Sequence, residues 1–291
     1  MDIRKVMLER KSVRDFKDKK VPVETLQGSI DSCKPKYELV CSTNMKAVIL
    51  EDGKKISKLL NGIAGYNGLM IEAPQYILFL SNEVKNHQIQ TGYYAENIML
   101  DLESKSIDTC WLNIPEDGAL VKQALGIEDS REASALIAVG YKKRDKKVIN
   151  PLHTGDNYSQ ANLKVVDDNT SARLKPEEIV YLDKWGYNPT ADELKNLGLD
   201  SVFFYVRLAP STLNRQPWRY FIKDKKIYLT IKTQESINHE HDMLDAGIAM
   251  LYTDLIMNNY SYNGKWTIAN ESAKNYGIPE DYYVAGYFSK E

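Results

Sequence analysis

Two short stretches hold most of the reactive or ligand-gripping side chains. In Arg10-Lys11-Ser12-Val13-Arg14, closed by Phe16, a charged helix over 2–10 should give way to extended chain. Extended chain sends alternate residues to one side, so Arg10, Ser12 and Arg14 would share a face. Two planar guanidinium forks and a hydroxyl are the donors that grip a phosphate, and Lys11 adds charge beside them. The same residues also suit a solvated basic cluster complementing the negative end of the preceding helix. The second stretch is Ala209-Pro210-Ser211-Thr212-Leu213-Asn214-Arg215-Gln216-Pro217-Trp218. Two prolines fix a loop that feeds a strand, with Trp218 as a buried anchor. Hydroxyls and amides between the prolines suit a polyhydroxylated, heteroaromatic ligand. They would also serve a turn network of their own.

Other candidates carry less. Gly62-x-x-Gly65-x-x-Gly68 lacks the Lys-Ser/Thr of a phosphate loop and the GxGxxG of a dinucleotide turn, and reads as a flexible loop. His239-Glu240-His241-Asp242 offers His-x-His with no third ligand at helical spacing. It reads as surface or helix-entry chemistry, with Asp242 complementing the dipole of a helix over 243–259. No Ser or Cys sits in a nucleophile elbow, and Cys110, just before Trp111, reads as core.

The elements that must position these stretches come in duplicate. Residues 92–111 (GYYAENIMLDLESKSIDTCW) and 247–266 (GIAMLYTDLIMNNYSYNGKW) run from Gly to Trp over the same interval, 155 positions apart. In the second, Ile248, Leu251, Tyr252, Leu255, Ile256 and Asn259 recur at the spacing of a buried helical stripe; in the first, Tyr94, Ile98 and Leu102 do. Each copy follows an apolar strand (76–80, 227–231) and precedes a Gly-Ile pair and a strand closing on Gly-Tyr (135–141, 282–287). Landmarks in the same order predict a duplicated α+β unit, with antiparallel-rich sheets flanked by helices. The halves span 1–150 and 173–291, with a polar linker over 151–172. Helices are expected over 2–10, 23–33, 53–60, 87–106, 118–125, 175–185, 190–197 and 243–259. Strands are expected over 37–41, 46–50, 75–80, 109–113, 134–140, 219–223 and 226–231, the last two forming a hairpin.

Composition narrows the partners. The 291 residues include 38 basic and 40 acidic ones, a net charge of −2, so no overall field recruits nucleic acid. No run approaches the roughly 18 apolar residues of a membrane span. The charged start, Met1 to Ser12, lacks the apolar core of a secretory signal. Three cysteines without CxxC spacing give neither a disulfide framework nor a structural zinc site, and a reduced cytoplasmic setting is expected.

Residues 9–16 and 209–218 resemble the flavin-dependent nitroreductase family. Its members carry an RxSxR-type segment closing on Phe, then a helix, then an APSxxNxQPW-type loop. They are homodimers holding FMN at the subunit interface, with the clamp from one subunit and the loop from the other. Here the two motifs fall in different halves. The first half reads Asp31-Ser32-Cys33-Lys34-Pro35 where the loop belongs, and the second half has no RxSxR. The resemblance therefore implies a nitroreductase-like fused pseudo-dimer with one complete FMN site, monomeric yet able to dimerise further. It implies that Arg10, Lys11, Ser12 and Arg14 bind the FMN phosphate and ribityl chain. Pro210, Ser211, Thr212 and Asn214 would contact FMN from the other half, with Gln216 supporting their loop. Asn113-Ile114-Pro115-Glu116-Asp117 matches the family's Pro-Ile-Glu-Gly-like turn, Asp117 replacing Gly, and its backbone N–H groups would face the ring. Lys146 and Lys147 match a basic residue after the final Gly-Tyr, and Asn67 one that reaches the pyrimidine edge. The implied activity takes hydride from NADH or NADPH and passes electrons to a nitroaromatic, quinone or related small molecule in a ping-pong scheme. No acid–base dyad is needed for it. The alternative is a non-catalytic flavin- or nucleotide-binding protein on the same scaffold.

Overall fold

The computed structural model describes residues 2–33, 44–66, 68–82, 84, 86–149, 162–166, 171–233, 239–268 and 276–290. The first half contains α1 (Ile3–Glu9), α2 (Val23–Ser32), β1 (Lys46–Leu50), α3 (Gly53–Leu60), β2 (Gln75–Ser81), α4 (His87–Ser104), β3 (Asp108–Leu112), α5 (Gly118–Leu125) and β4 (Glu132–Gly140). After β5 (Lys146–Ile149) and β6 (Asn162–Val165) come α6 (Pro176–Ile179), β7 (Val180–Leu182), α7 (Ala191–Asn196) and α8 (Asp200–Val206). The chain ends with β8 (Trp218–Lys223), β9 (Lys226–Lys232), α9 (His239–Asn259), β10 (Gly264–Ile268) and β11 (Tyr282–Lys290). No described helix is long and apolar enough to cross a membrane. The expected strand over 37–41 lies outside the described residues.

The two main sheets have one topology. The first runs β1-β2-β4-β3, and the second runs β8-β9-β11-β10 with β7 added in parallel beside β8. All other pairs within them are antiparallel. Even an irregularity repeats. Between β2 and β4 the register skips Ser134, and between β9 and β11 it skips Ala285, so each sheet carries a bulge at the same place.

Between the sheets, α4 and α9 cross. A β-carbon on Gly92 would meet Leu244 O at 2.2 Å, and one on Gly247 would meet Ile89 O at 1.9 Å. Only glycine lets the backbones approach so closely. The contact is reciprocal at the 155-residue offset, as at a two-fold interface. Wedged here, α9 is buried on every side from Ala246 to Asp254 rather than along one stripe, while Asn259, expected in that stripe, is exposed.

Three local expectations change. The helix over 175–185 is the four-residue α6, after which Val180-Tyr181-Leu182 pair with Tyr220-Phe221-Ile222. Burial of Val180 beside β8 outweighs the local helix signal. Helix α8, not among the expected helices, buries Val202, Phe203 and Val206 but exposes Phe204, so its apolar residues run past one face and blur the helical period. The polar joint carries a ladder, β5 on β6, with Lys146 opposite Val165.

Candidate functional site

Segment 10–14 is stitched along the outer edge of β3. Val13 N donates to Thr109 O at 2.9 Å, and Ser12 bridges Thr109 in parallel. Val13 is buried, whereas Arg10, Lys11, Ser12 and Arg14 line a cleft of about 360 Å³. That volume is within the ~300–1,000 Å³ of small-molecule sites. On its other side stand Pro210, Ser211, Thr212, Leu213 and Asn214, with Trp111, Ile114, Leu244 and Ile248 adding apolar surface.

The 209–217 loop is held by more than its prolines. Leu213, Asn214 and Gln216 have φ of 54°, 57° and 52°, a left-handed backbone that costs non-glycine residues energy and persists only under outside restraint. Gln216 supplies part of that restraint: its Oε1 accepts from Leu174 N at 2.8 Å, and its N–H donates to Ser211 Oγ at 2.9 Å. Asp245, on α9, accepts from Thr212 N at 3.0 Å and Thr212 Oγ1 at 3.3 Å. Arg215 reaches Asp242 and lies 3.7 Å from Asp245. Burial pushes the Asp245 carboxyl up to about 7, opposed by the Thr212 N–H and Arg215.

The residues of segment 10–14 divide in their commitments. Arg10 is buried on Glu96, Nε to Oε1 at 3.2 Å. Glu96 also accepts from Trp111 Nε1 at 2.6 Å and Tyr252 Oη at 3.2 Å, so one buried carboxylate joins α4, α9, β3 and segment 10–14. Burial raises its pKa, and Arg10 and these donors pull it back. Arg10 thus lines the cleft while its guanidinium is engaged in an internal ion pair, a partner that alternation along extended chain did not predict. Arg14 donates through Nε to Tyr66 Oη at 3.2 Å, and its guanidinium lies 5.4 Å from that ring's centre.

Lys147 lines the cleft, whereas Lys146 does not and lies 3.4 Å from Asp15 Oδ1. Ile114 lines it, but Pro115, Glu116 and Asp117 do not. Asp117 caps α5, accepting from Ala119 N at 3.0 Å. A close backbone approach occurs one residue later, where a β-carbon on Gly118 would meet Ala133 O at 2.4 Å. Asn214 lines the cleft, but its amide is engaged, accepting from Arg173 and donating to Ala172 O at 3.0 Å. Gln216 lies behind the loop, and Asn67 is outside the described residues.

Arg173, Tyr66 and His241 join the cleft from outside the two motif segments. Arg173 emerges from the polar joint; among the described residues its acceptors are the neutral Asn214 and Ala172 O, and its buried Nε has no partner there. Burial lowers its pKa, and Arg10 and Arg207 lower it further. Tyr66 is delivered by the glycine loop, which is not slack: Gly62, Gly65 and Gly68 all have positive φ, and Gly62 N donates to Gly68 O at 2.9 Å. His241 belongs to the cleft wall rather than to surface chemistry, and Asp242 is buried in the second turn of a helix that begins at His239. No group of three or more metal-ligating side chains forms among the described residues. A charged Glu96 within the apolar run of α4 was the readable hint of a buried partner.

The family model described as "Putative TM nitroreductase" matches residues 2–256. No curated protein matches the chain. Among solved structures, one from Thermotoga maritima described as a putative nitroreductase is 17% identical with a TM-score of 0.58, covering 99% of this chain and 92% of that one. A nitroreductase family protein from Clostridium novyi NT is 22% identical with a TM-score of 0.43, covering 49% of this chain and 87% of its own. A nitroreductase with bound FMN from Bacteroides fragilis is 17% identical with a TM-score of 0.40, covering 52% and 96%. With its family match extending from residue 2 to 256, this chain belongs to the nitroreductase family.

Proposed function

We propose that the chain binds FMN in this cleft and acts as an NAD(P)H oxidoreductase, serving the reductant and then a nitroaromatic, quinone or related acceptor at one open face. The observation that carries this reading is the meeting of segment 10–14 with loop 210–214, from distant parts of the chain, around one cleft. The donor set fits the cofactor. A phosphate of about −1.5 to −2 charge, by analogy with phosphorylated hydroxyls, calls for cations without their own carboxylates. Among the described residues Arg173, with neutral acceptors and an unpartnered buried Nε, has that character. It would hold the phosphate together with Arg14, Lys11, Ser12 and Lys147, while Arg10 stays largely on Glu96. Bound FMN would supply the hydride-accepting ring that no amino-acid side chain provides.

The chain's part is positioning. Loop 210–214, already locked by Gln216 and Asp245, would meet the ligand without further ordering cost. Trp111, Ile114, Leu244 and Ile248 would keep water from one side. The matched strand orders, repeated bulge and reciprocal glycine contact support reading 1–150 and 173–291 as two fused subunits joined through 151–172. Purified protein should be yellow, bleach with NADH or NADPH under argon, and recover colour with a quinone. Colourless protein that takes up no FMN would overturn the proposal; yellow protein that neither nicotinamide bleaches would leave only a flavin binder.

A further inference from the structure

A hydrogen-bonded chain of three side chains ends on the cleft wall. Ser134, the bulge residue of β4, lines the cleft and is only 2% exposed. Its Oγ lies 2.5 Å from Ser81 Oγ and 3.3 Å from Glu132 O. Ser81, fully buried at the end of β2, lies 2.7 Å from His87 Nδ1. His87 is half-buried at the start of α4. A hydroxyl both donates and accepts, and an imidazole exchanges protons near neutral pH. Every link is therefore competent to pass a proton.

The second half makes the comparison sharp. Its matching bulge residue is Ala285, and the residue matching Ser81 on β9 is Ile231. The backbone device is present twice, but the hydroxyls occur in one copy only, beside the cleft. Holding a β-bulge does not require them.

We propose that His87, Ser81 and Ser134 form a proton relay into the cleft, serving reduction of an oxygen-centred acceptor such as a quinone. The inference rests on the oxidoreductase reading above. Reducing a quinone adds one hydride, drawn originally from NADH or NADPH, and one proton to the resulting oxyanion. That proton leaves Ser134 Oγ; Ser134 takes one from Ser81 Oγ, Ser81 takes one from His87 Nδ1, and solvent restores His87. The acceptor gains two electrons and two hydrogens, and each relay group ends as it began.

Ser81→Ala and Ser134→Ala each cut the relay, and alanine already occupies the matching bulge at position 285. In anaerobic stopped-flow, bleaching by NAD(P)H should stay within about twofold of wild type, because the hydride step consumes no relayed proton. Reoxidation by a quinone should slow at least about tenfold, and by up to the ~10²–10⁴-fold of a lost general acid. Ser81→Thr, which keeps the hydroxyl, should restore it. Separately, Ser81→Ala should shift the His87 ring nitrogen resonances in ligand-free protein. The relay is refuted if reoxidation changes less than twofold in both alanine variants, if both half-reactions fall together, or if the His87 resonances do not move. Wild-type protein that takes no FMN would instead sink the oxidoreductase reading, and the relay with it.

Discussion

Gly247→Ala should force the central helices apart. Its β-carbon would lie 1.9 Å from Ile89 O and 2.8 Å from both Ile89 C and Tyr93 N. Unstrained carbon contacts need about 3.5–4.0 Å. These three nearest atoms are all backbone, so side-chain rotation does not relieve the collision with them, and α4 and α9 must separate by roughly 1.5 Å. Overpacking a core typically costs about 1–3 kcal/mol, and a contact with fixed backbone belongs at the upper end, about 3 kcal/mol. Gly92→Ala, meeting Leu244 O at 2.2 Å, should cost nearly as much. One separation relieves both collisions, so the double variant should lose about 4 kcal/mol rather than the additive ~6. Urea unfolding followed by circular dichroism reads each loss as a midpoint shift at unchanged slope. Additivity to within about 0.5 kcal/mol, or unmoved midpoints, would refute a shared contact. Leu244 and Ile248 line the cleft, so both single variants should also retain flavin less well.

Arg10→Met strands a buried carboxylate at Glu96 and should destabilise by about 3–5 kcal/mol, with Arg10→Met/Glu96→Leu recovering much of it in thermal unfolding. Arg14→Ala and Arg173→Gln should each weaken FMN at least about tenfold while leaving riboflavin, which lacks the phosphate, little changed in fluorescence titrations. Equal loss of both flavins would make these arginines structural. Asp245 has its carboxyl raised to about 7 in the fold. The native state thus binds more protons than the unfolded chain between about pH 4 and that value, and stability should fall across this window as pH rises. Asp245→Asn should flatten that slope in urea midpoints measured from pH 4 to 8.

Legibility followed the range of the interactions. Helix α3 and the β8–β9 hairpin were readable because their signals are local: apolar periodicity and a Lys223-Asp224-Lys225 turn. The two motif segments were readable because each is short and dense in donors. Arg173 was not, since nothing near it in sequence says that Asn214 and the cleft lie beside it. The ion pair of Arg10 was hidden for the same reason: alternation along extended chain cannot reveal a carboxylate waiting 86 positions later on α4. β7 shows long-range pairing overriding local preference, because Val180-Tyr181-Leu182 acquire their strand only from β8. The repeated Gly-to-Trp interval foretold duplication, but not that its two glycines would touch each other's helices.

In a two-chain assembly a helix crossing of this kind comes apart on dilution and carries every mutation twice. Here both glycines lie on one polypeptide, so the crossing survives at any protein concentration. Each side can also change alone, and a lineage so built is free to specialise one face while the other drifts.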